Sequence, residues 1–163
     1  MCARISKRQA RALAPEGSII ALPLRDRGYG VGVVARNSGD GALLVYYYGV
    51  RLDSIDSPLD HSVLKPENAI RVGQVGDLGV LNGAWKVIGA ISPWSRSAWP
   101  LPPFARYVQG VAFYKSYYDE DTLRKIREVR IEKSEADELW EDGMDGYVAA
   151  EIVLTKRLRE LGI

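Results

Sequence analysis

The chain has 163 residues, with 22 Lys and Arg against 21 Asp and Glu, one His, one Cys and 47% hydrophobic residues. That length and balance fit one ordinary globular domain and exclude a chain-wide polyanion binder. One cysteine excludes an internal disulfide and a multi-cysteine metal site, and no run approaches the roughly 20 apolar residues of a membrane helix.

The charge is uneven along the chain. Residues 1–36 carry Arg4, Lys7, Arg8, Arg11, Arg25, Arg27 and Arg36 against Glu16 and Asp26. The opening "MCARISKRQARALAPEG" has no apolar core for a secretory signal. Residues 1–15 therefore read as a basic, mobile extension before a single α+β domain over 16–163. A lone Cys2 suits a reducing compartment, here the cytoplasm.

"DRGYGVGVVA" at 26–35 raises the first question of function. A dinucleotide loop needs a third glycine at the sixth position and a helix after it. Counted from Gly28, the sixth position is Val33, and "VVARNSGDGALLVYYYG" continues as strand, turn and strand. With period 2, Tyr29, Val31 and Val33 face one way and Gly28, Gly30 and Gly32 the other. A glycine face lets a strand coil or another group approach closely. "GSIIALPLRDRG" supplies a strand before it, with Pro23 marking an edge or bulge, and "ALLVYYYGV" a strand after it. Residues 17–50 thus form a three-stranded antiparallel meander, the front of a strongly bent sheet or small partial barrel.

A polar connection leads to a second β region, "AIRVGQVGDLGVLNGAWKVIGAI", with a turn at Gly83 and a strand through Trp85 and Gly89. Residues 92–107, "SPWSRSAWPLPPFARY", read as a Pro- and Trp-rich loop. A strand follows in "GVAFYKSYY", then an ambiguous charged stretch over 119–134. Ser134 offers a cap for a short helix through Trp140. Tyr147, Ala150, Leu154, Leu158 and Leu161 share one helical face, with Asp145 as the expected N-cap and Gly162 as the stop.

Chemistry is sparse. His61 beside Asp60 lies in a loop, where neighbours seldom orient each other as a catalytic pair. One His and one Cys exclude the usual zinc sets, and no Gly-x-Ser-x-Gly elbow is present. No cofactor is implied, and the reading is not an enzyme. Binding remains. Trp94 and Trp99 are candidate partner anchors, or else cover the open end of the barrel. The acidic run at 134–151 offers Asp137, Glu138, Glu141 and Asp142 around Trp140, either as a solvated face or as a surface for a basic protein. Tyr29, Tyr46, Tyr47 and Tyr48 with the basic tail leave a second reading, a nucleic-acid-binding small barrel. Without a dense Lys/Arg stripe, nucleic acid is the weaker partner.

Three stretches carry a family resemblance: "EGSIIALPLRDRGYGVGVV" at 16–34, "NGAWKVIGAI" at 82–91 and "PLPPF" at 100–104. In order and spacing the chain resembles the immunity protein 26 family of bacterial polymorphic toxin systems over about residues 16–115. The pattern residues are Gly17, Pro23, Gly28, Tyr29, Gly30, Gly32, Trp85, Gly89, Pro103 and Phe104; Ser18 departs from it, standing where the family tends to have Asp. The resemblance implies an α+β fold and a non-catalytic protein that neutralises a cognate toxin inside the producing cell. For a nuclease toxin, the acidic run would stand in for phosphates. The resemblance carries no catalytic residues.

Overall fold

The glycine-alternating stretch is a strand. In the computed structural model, which describes residues 5–163, β1 (Ser18–Pro23), β2 (Tyr29–Asn37) and β3 (Ala42–Leu52) form the expected antiparallel meander. β4 (Arg71–Gly76) adds antiparallel to β3, and β5 (Lys86–Ala90) adds antiparallel to the far side of β1. Irregularities at Ile19/Ile20, Gly30/Val31 and Val34/Arg36 break the register. Such bulges raise local twist and bend the sheet. Pro23 pairs with Tyr29 on one side, and β5 ends opposite Ala21, so its missing N–H costs no ladder bond.

A second sheet holds β6 (Phe104–Val108), β7 (Ala112–Tyr118) and β8 (Lys125–Ile131), all antiparallel. Neither sheet closes into a barrel; the class is α+β. Two two-residue strands lace the sheets together. β9 (Trp140–Glu141) runs parallel to β6, and β10 (Met144–Asp145) runs parallel to β4. The acidic segment is therefore a strap between the sheets.

The first sheet is buried on both faces. One face, through Val31, Val33, Leu44, Tyr46 and Tyr48, meets Trp99, Phe104 and Leu123 toward the second sheet. The other, through Ile20, Leu22, Val45 and Tyr47, meets Trp85 and helix α4 (Tyr147–Glu160). The glycines lie on the helix side. A Cβ on Gly30 would collide with Leu154 of α4, and one on Gly32 would come within 2.7 Å of Val45 Cγ1. The absent side chains of Gly30 and Gly32 let α4 seat on the sheet. Ala150, Leu154 and Leu158 of the expected stripe are buried, whereas Leu161 is 46% exposed. Burying each large side chain contributes roughly 1.5–3 kcal/mol.

Several local expectations are corrected. The α4 N-cap is Gly146, not Asp145, because Asp145 belongs to β10 and pairs with Arg71. The helix after β8 is only α3 (Lys133–Ala136), N-capped by Glu132 rather than Ser134. Within 77–82 lies a short helix, α2 (Leu78–Leu81), and β6 begins inside the expected loop at Phe104. In the basic extension, α1 (Lys7–Leu13) forms with a Ser6/Gln9 capping box. Ala10 and Ala14 are buried, and Asn37 Nδ2 donates to both of their carbonyls, at 3.3 and 3.0 Å. These contacts tie the helix to the β2–β3 turn. Cys2 and Arg4 lie outside the described residues.

Candidate functional site

The acidic run is largely consumed within the fold. The Asp142 side chain is 5% exposed. Its carboxylate accepts from the Tyr118 hydroxyl and from Gly143 N–H at 3.0 Å, and faces Lys125 Nζ at 3.4 Å. Burial and this carboxylate push the Tyr118 phenol well above its ordinary range. Glu135 accepts from Lys115 at 2.9 Å, Asp137 from Lys133 at 2.9 Å, and Asp145 pairs with Arg71. Glu151 is 2% exposed, accepting from Trp85 Nε1 at 2.9 Å and from Arg25 at 3.0 Å. Thus the Trp85 motif pins α4 from the strand side. Sequence alone hid most of these pairings, since Lys115, Lys125 and Arg71 lie in other strands; Lys133 is four residues before Asp137.

What remains exposed is smaller and more specific. Among the described residues, Glu138 and Glu141 are exposed and make no ion pair. Between them, Trp140 is 37% exposed. It lines a cleft of about 420 Å³ with Val72 and Val153, beside Arg71 and Arg157. Of the two carboxylates Glu141 lines this cleft, while Glu138 lies two residues before the ring in the chain; an exposed aromatic near unpaired carboxylates can meet an apolar anchor with a cationic rim.

The two loop tryptophans point inward. Trp99 is 4% exposed, edge-on to Tyr46 at 5.2 Å and tilted on Trp94 at 5.5 Å. Trp94 packs over Gly17, whose added Cβ would meet its ring at 3.0 Å. Gly17 also needs φ +91°, so the position favours glycine twice over. The pair covers the end of the inter-sheet core, the second of the two roles read from the sequence. Phe104 is 1% exposed and packs edge-on to Tyr118 at 5.9 Å, just after Pro103. A Cβ on Gly89 would make ordinary contacts with His61 and Ile19.

The tyrosines of the base-stacking reading are turned into the core. Tyr46, Tyr47 and Tyr48 are 3%, 2% and 1% exposed, and burial pushes the Tyr46 phenol up to about 12. Tyr29 is half-buried against the same core. A base-stacking platform needs exposed rings, so this arrangement does not support nucleic-acid binding.

The sequence also gave no sign of the charge network at the opposite end. Arg36 is 2% exposed yet charged; it donates to Glu120 at 2.6 Å and to the Trp99 carbonyl at 3.0 Å. Arg96 links Glu16 and Asp121, both at 2.9 Å. A buried guanidinium satisfied by carbonyls and carboxylates is stabilised, and here it joins β2, the Trp loop and the β7–β8 turn.

Asp60 caps a turn through Ser62 N–H at 2.9 Å, and His61 is exposed beside it. Among the described residues no group of three His, Cys, Asp or Glu could hold a metal ion, and no helix is long and apolar enough to cross a membrane.

No curated protein and no solved structure matches the chain. The family model described as Immunity protein 26 matches residues 15–116, more than half of the 163. This range contains the glycine strand seated under α4, the Trp85 contact that pins it and the Trp94–Trp99–Phe104 cover. The chain belongs to the Immunity protein 26 family.

Proposed function

We propose that this chain binds a cognate protein toxin in the cytoplasm and neutralises it without catalysis, by covering the toxin's active surface. Family membership carries the reading. The contact is made through Trp140, Glu138 and Glu141, the exposed part of the strap, while Asp142 and Asp137 hold its shape. A half-exposed tryptophan between unpaired carboxylates fits a partner with a basic rim around an apolar knob. A nuclease toxin, whose nucleic-acid groove is basic, is the kind of partner that matches this charge.

The test is affinity capture of the tagged chain from its own cells, with bound protein and nucleic acid both quantified. The reading expects one stoichiometric protein partner held through moderate salt, and slower association at low salt for Glu138→Lys/Glu141→Lys. Nucleic acid as the sole co-eluting species, released by salt, would contradict it.

A further inference from the structure

A separate cleft of about 430 Å³ opens between α1, the β2–β3 turn, β4 and the β7–β8 turn. Trp140, Glu138 and Glu141 do not line it, although it shares Gly143 of the strap with the Trp140 cleft. Its volume is in the range of small-molecule sites.

The charge of its lining is lopsided. Lys7, Arg11 and Arg124 face a single carboxylate, Asp40, leaving an excess of two positive charges. Asp40 neutralises neither neighbour closely: Lys7 lies at 3.8 Å and Arg124 at 3.7 Å, both beyond hydrogen-bond length. Arg11 donates to the carbonyls of Asn37 at 3.2 Å and Ser38 at 2.9 Å, which fixes its guanidinium and leaves further N–H groups free. Gly39 is what lets this assembly close. A Cβ there would lie 2.6 Å from the Lys7 carbonyl and 3.1 Å from Arg11.

Deeper in the cleft wall, Gln74 is 7% exposed, and its buried Nε2 has no hydrogen-bond partner. A buried amide donor left unpaired is costly, and folded proteins rarely keep one without a use. Nε2 itself is closed to solvent, so an acceptor oxygen in the cleft would satisfy it once the Gln74 amide turns toward the opening. Two-thirds of the lining lies outside the family match at 15–116, with Lys7 and Arg11 before it and Arg124 and Met144 among those after it.

We propose that this cleft binds a small phosphate monoester. Lys7, Arg11 and Arg124 hold the phosphate oxygens at the mouth, and the Gln74 amide donates from below. A phosphate monoester carries close to two negative charges at neutral pH and several acceptor oxygens, which matches both the excess charge and the orphaned donor. Arg forks and a Lys point charge are suited to that group.

The test is a titration of the full chain with inorganic phosphate, adenosine 5′-monophosphate and adenosine at matched ionic strength, followed by calorimetry and by amide NMR. Saturable binding of phosphate and of the monophosphate is expected, with the Gln74 side-chain amide shifting and adenosine inert. Arg124→Ala and Lys7→Ala, both at exposed positions, should each weaken binding about tenfold, the worth of one charge-assisted hydrogen bond. Gln74→Met removes the orphaned donor, so it should raise the melting temperature while weakening phosphate binding. Equal binding of adenosine and its monophosphate, an unmoved Gln74 amide, or unchanged affinity in Arg124→Ala would each overturn the proposal.

Discussion

Gly30→Ala adds one methyl group where the sheet meets α4. The new Cβ would collide with the end of Leu154 and lie 3.2 Å from Leu24 Cδ2. Gly30 is not among the positive-φ glycines, so alanine itself is tolerated by the backbone. The cost is overpacking against a fully buried leucine, about 1–3 kcal/mol. Leu154→Ala alone creates a cavity and costs about 2–5 kcal/mol. Combined, the two changes should not add. With Leu154 shortened, the Gly30→Ala methyl fills part of the cavity, so its own cost falls to zero or reverses. A double-mutant cycle by urea denaturation should then give a coupling of about 1–3 kcal/mol. If Gly30→Ala costs the same in both backgrounds, the glycine face is not there to seat α4, and the packing argument fails.

Other outcomes follow from the same geometry. Trp99→Ala should destabilise by about 3–5 kcal/mol in chemical melts, as for a buried aromatic, whereas Trp140→Ala should leave stability nearly unchanged and weaken partner binding. Asp26 accepts from Arg51, from Arg27 N–H and from Arg159, which hold its carboxyl well below the usual range of 3.8. Because the folded pKa is depressed, its stabilisation is present above the unfolded pKa and lost as pH falls below about 4. Asp26→Asn should therefore be less stable at neutral pH and show a flatter acid limb in pH-dependent melts. A limb as steep as the parent's would count against the ion cluster. Glu151→Leu should destabilise in thermal melts, chiefly because it strands the buried Trp85 N–H, the half-exposed Arg25 guanidinium turning to water instead.

The meander and α4 were legible in the sequence because each follows one uninterrupted period: Tyr29, Val31 and Val33 on alternate positions, and Ala150, Leu154 and Leu158 on one helical face. β6 was not, since Phe104 follows a proline run and the strand exists by pairing with β7. α2 has only four residues, and its Gly79 reads as a breaker; the glycine is there because a Cβ would press on Trp85 at 2.9 Å. α1 is too short to stand alone and forms through docking on Asn37 and the β2–β3 turn. The acidic run misled most. Its composition suggested an open charged face, but Lys115, Lys125, Lys133 and Arg71 fold back onto it, and the strap pairs with both sheets. Glu135 and Asp137 stay exposed but paired, so within the strap Glu138 and Glu141, on either side of Trp140, are the exposed and unpaired carboxylates. The buried core, by contrast, took in Tyr46, Tyr47, Tyr48 and Trp99 for the plain reason that aromatic residues are large and apolar.

The most direct test of the central claim is co-expression with toxin domains encoded beside this chain, scoring growth of the host cell. The account predicts that the wild-type chain restores growth against one such toxin, and that Glu138→Lys/Trp140→Ala/Glu141→Lys, folded to the same melting temperature, does not. Full rescue by that triple variant would contradict the proposed contact face. Failure of the wild-type chain to rescue against any of these toxins, with both proteins expressed, would contradict the immunity reading itself.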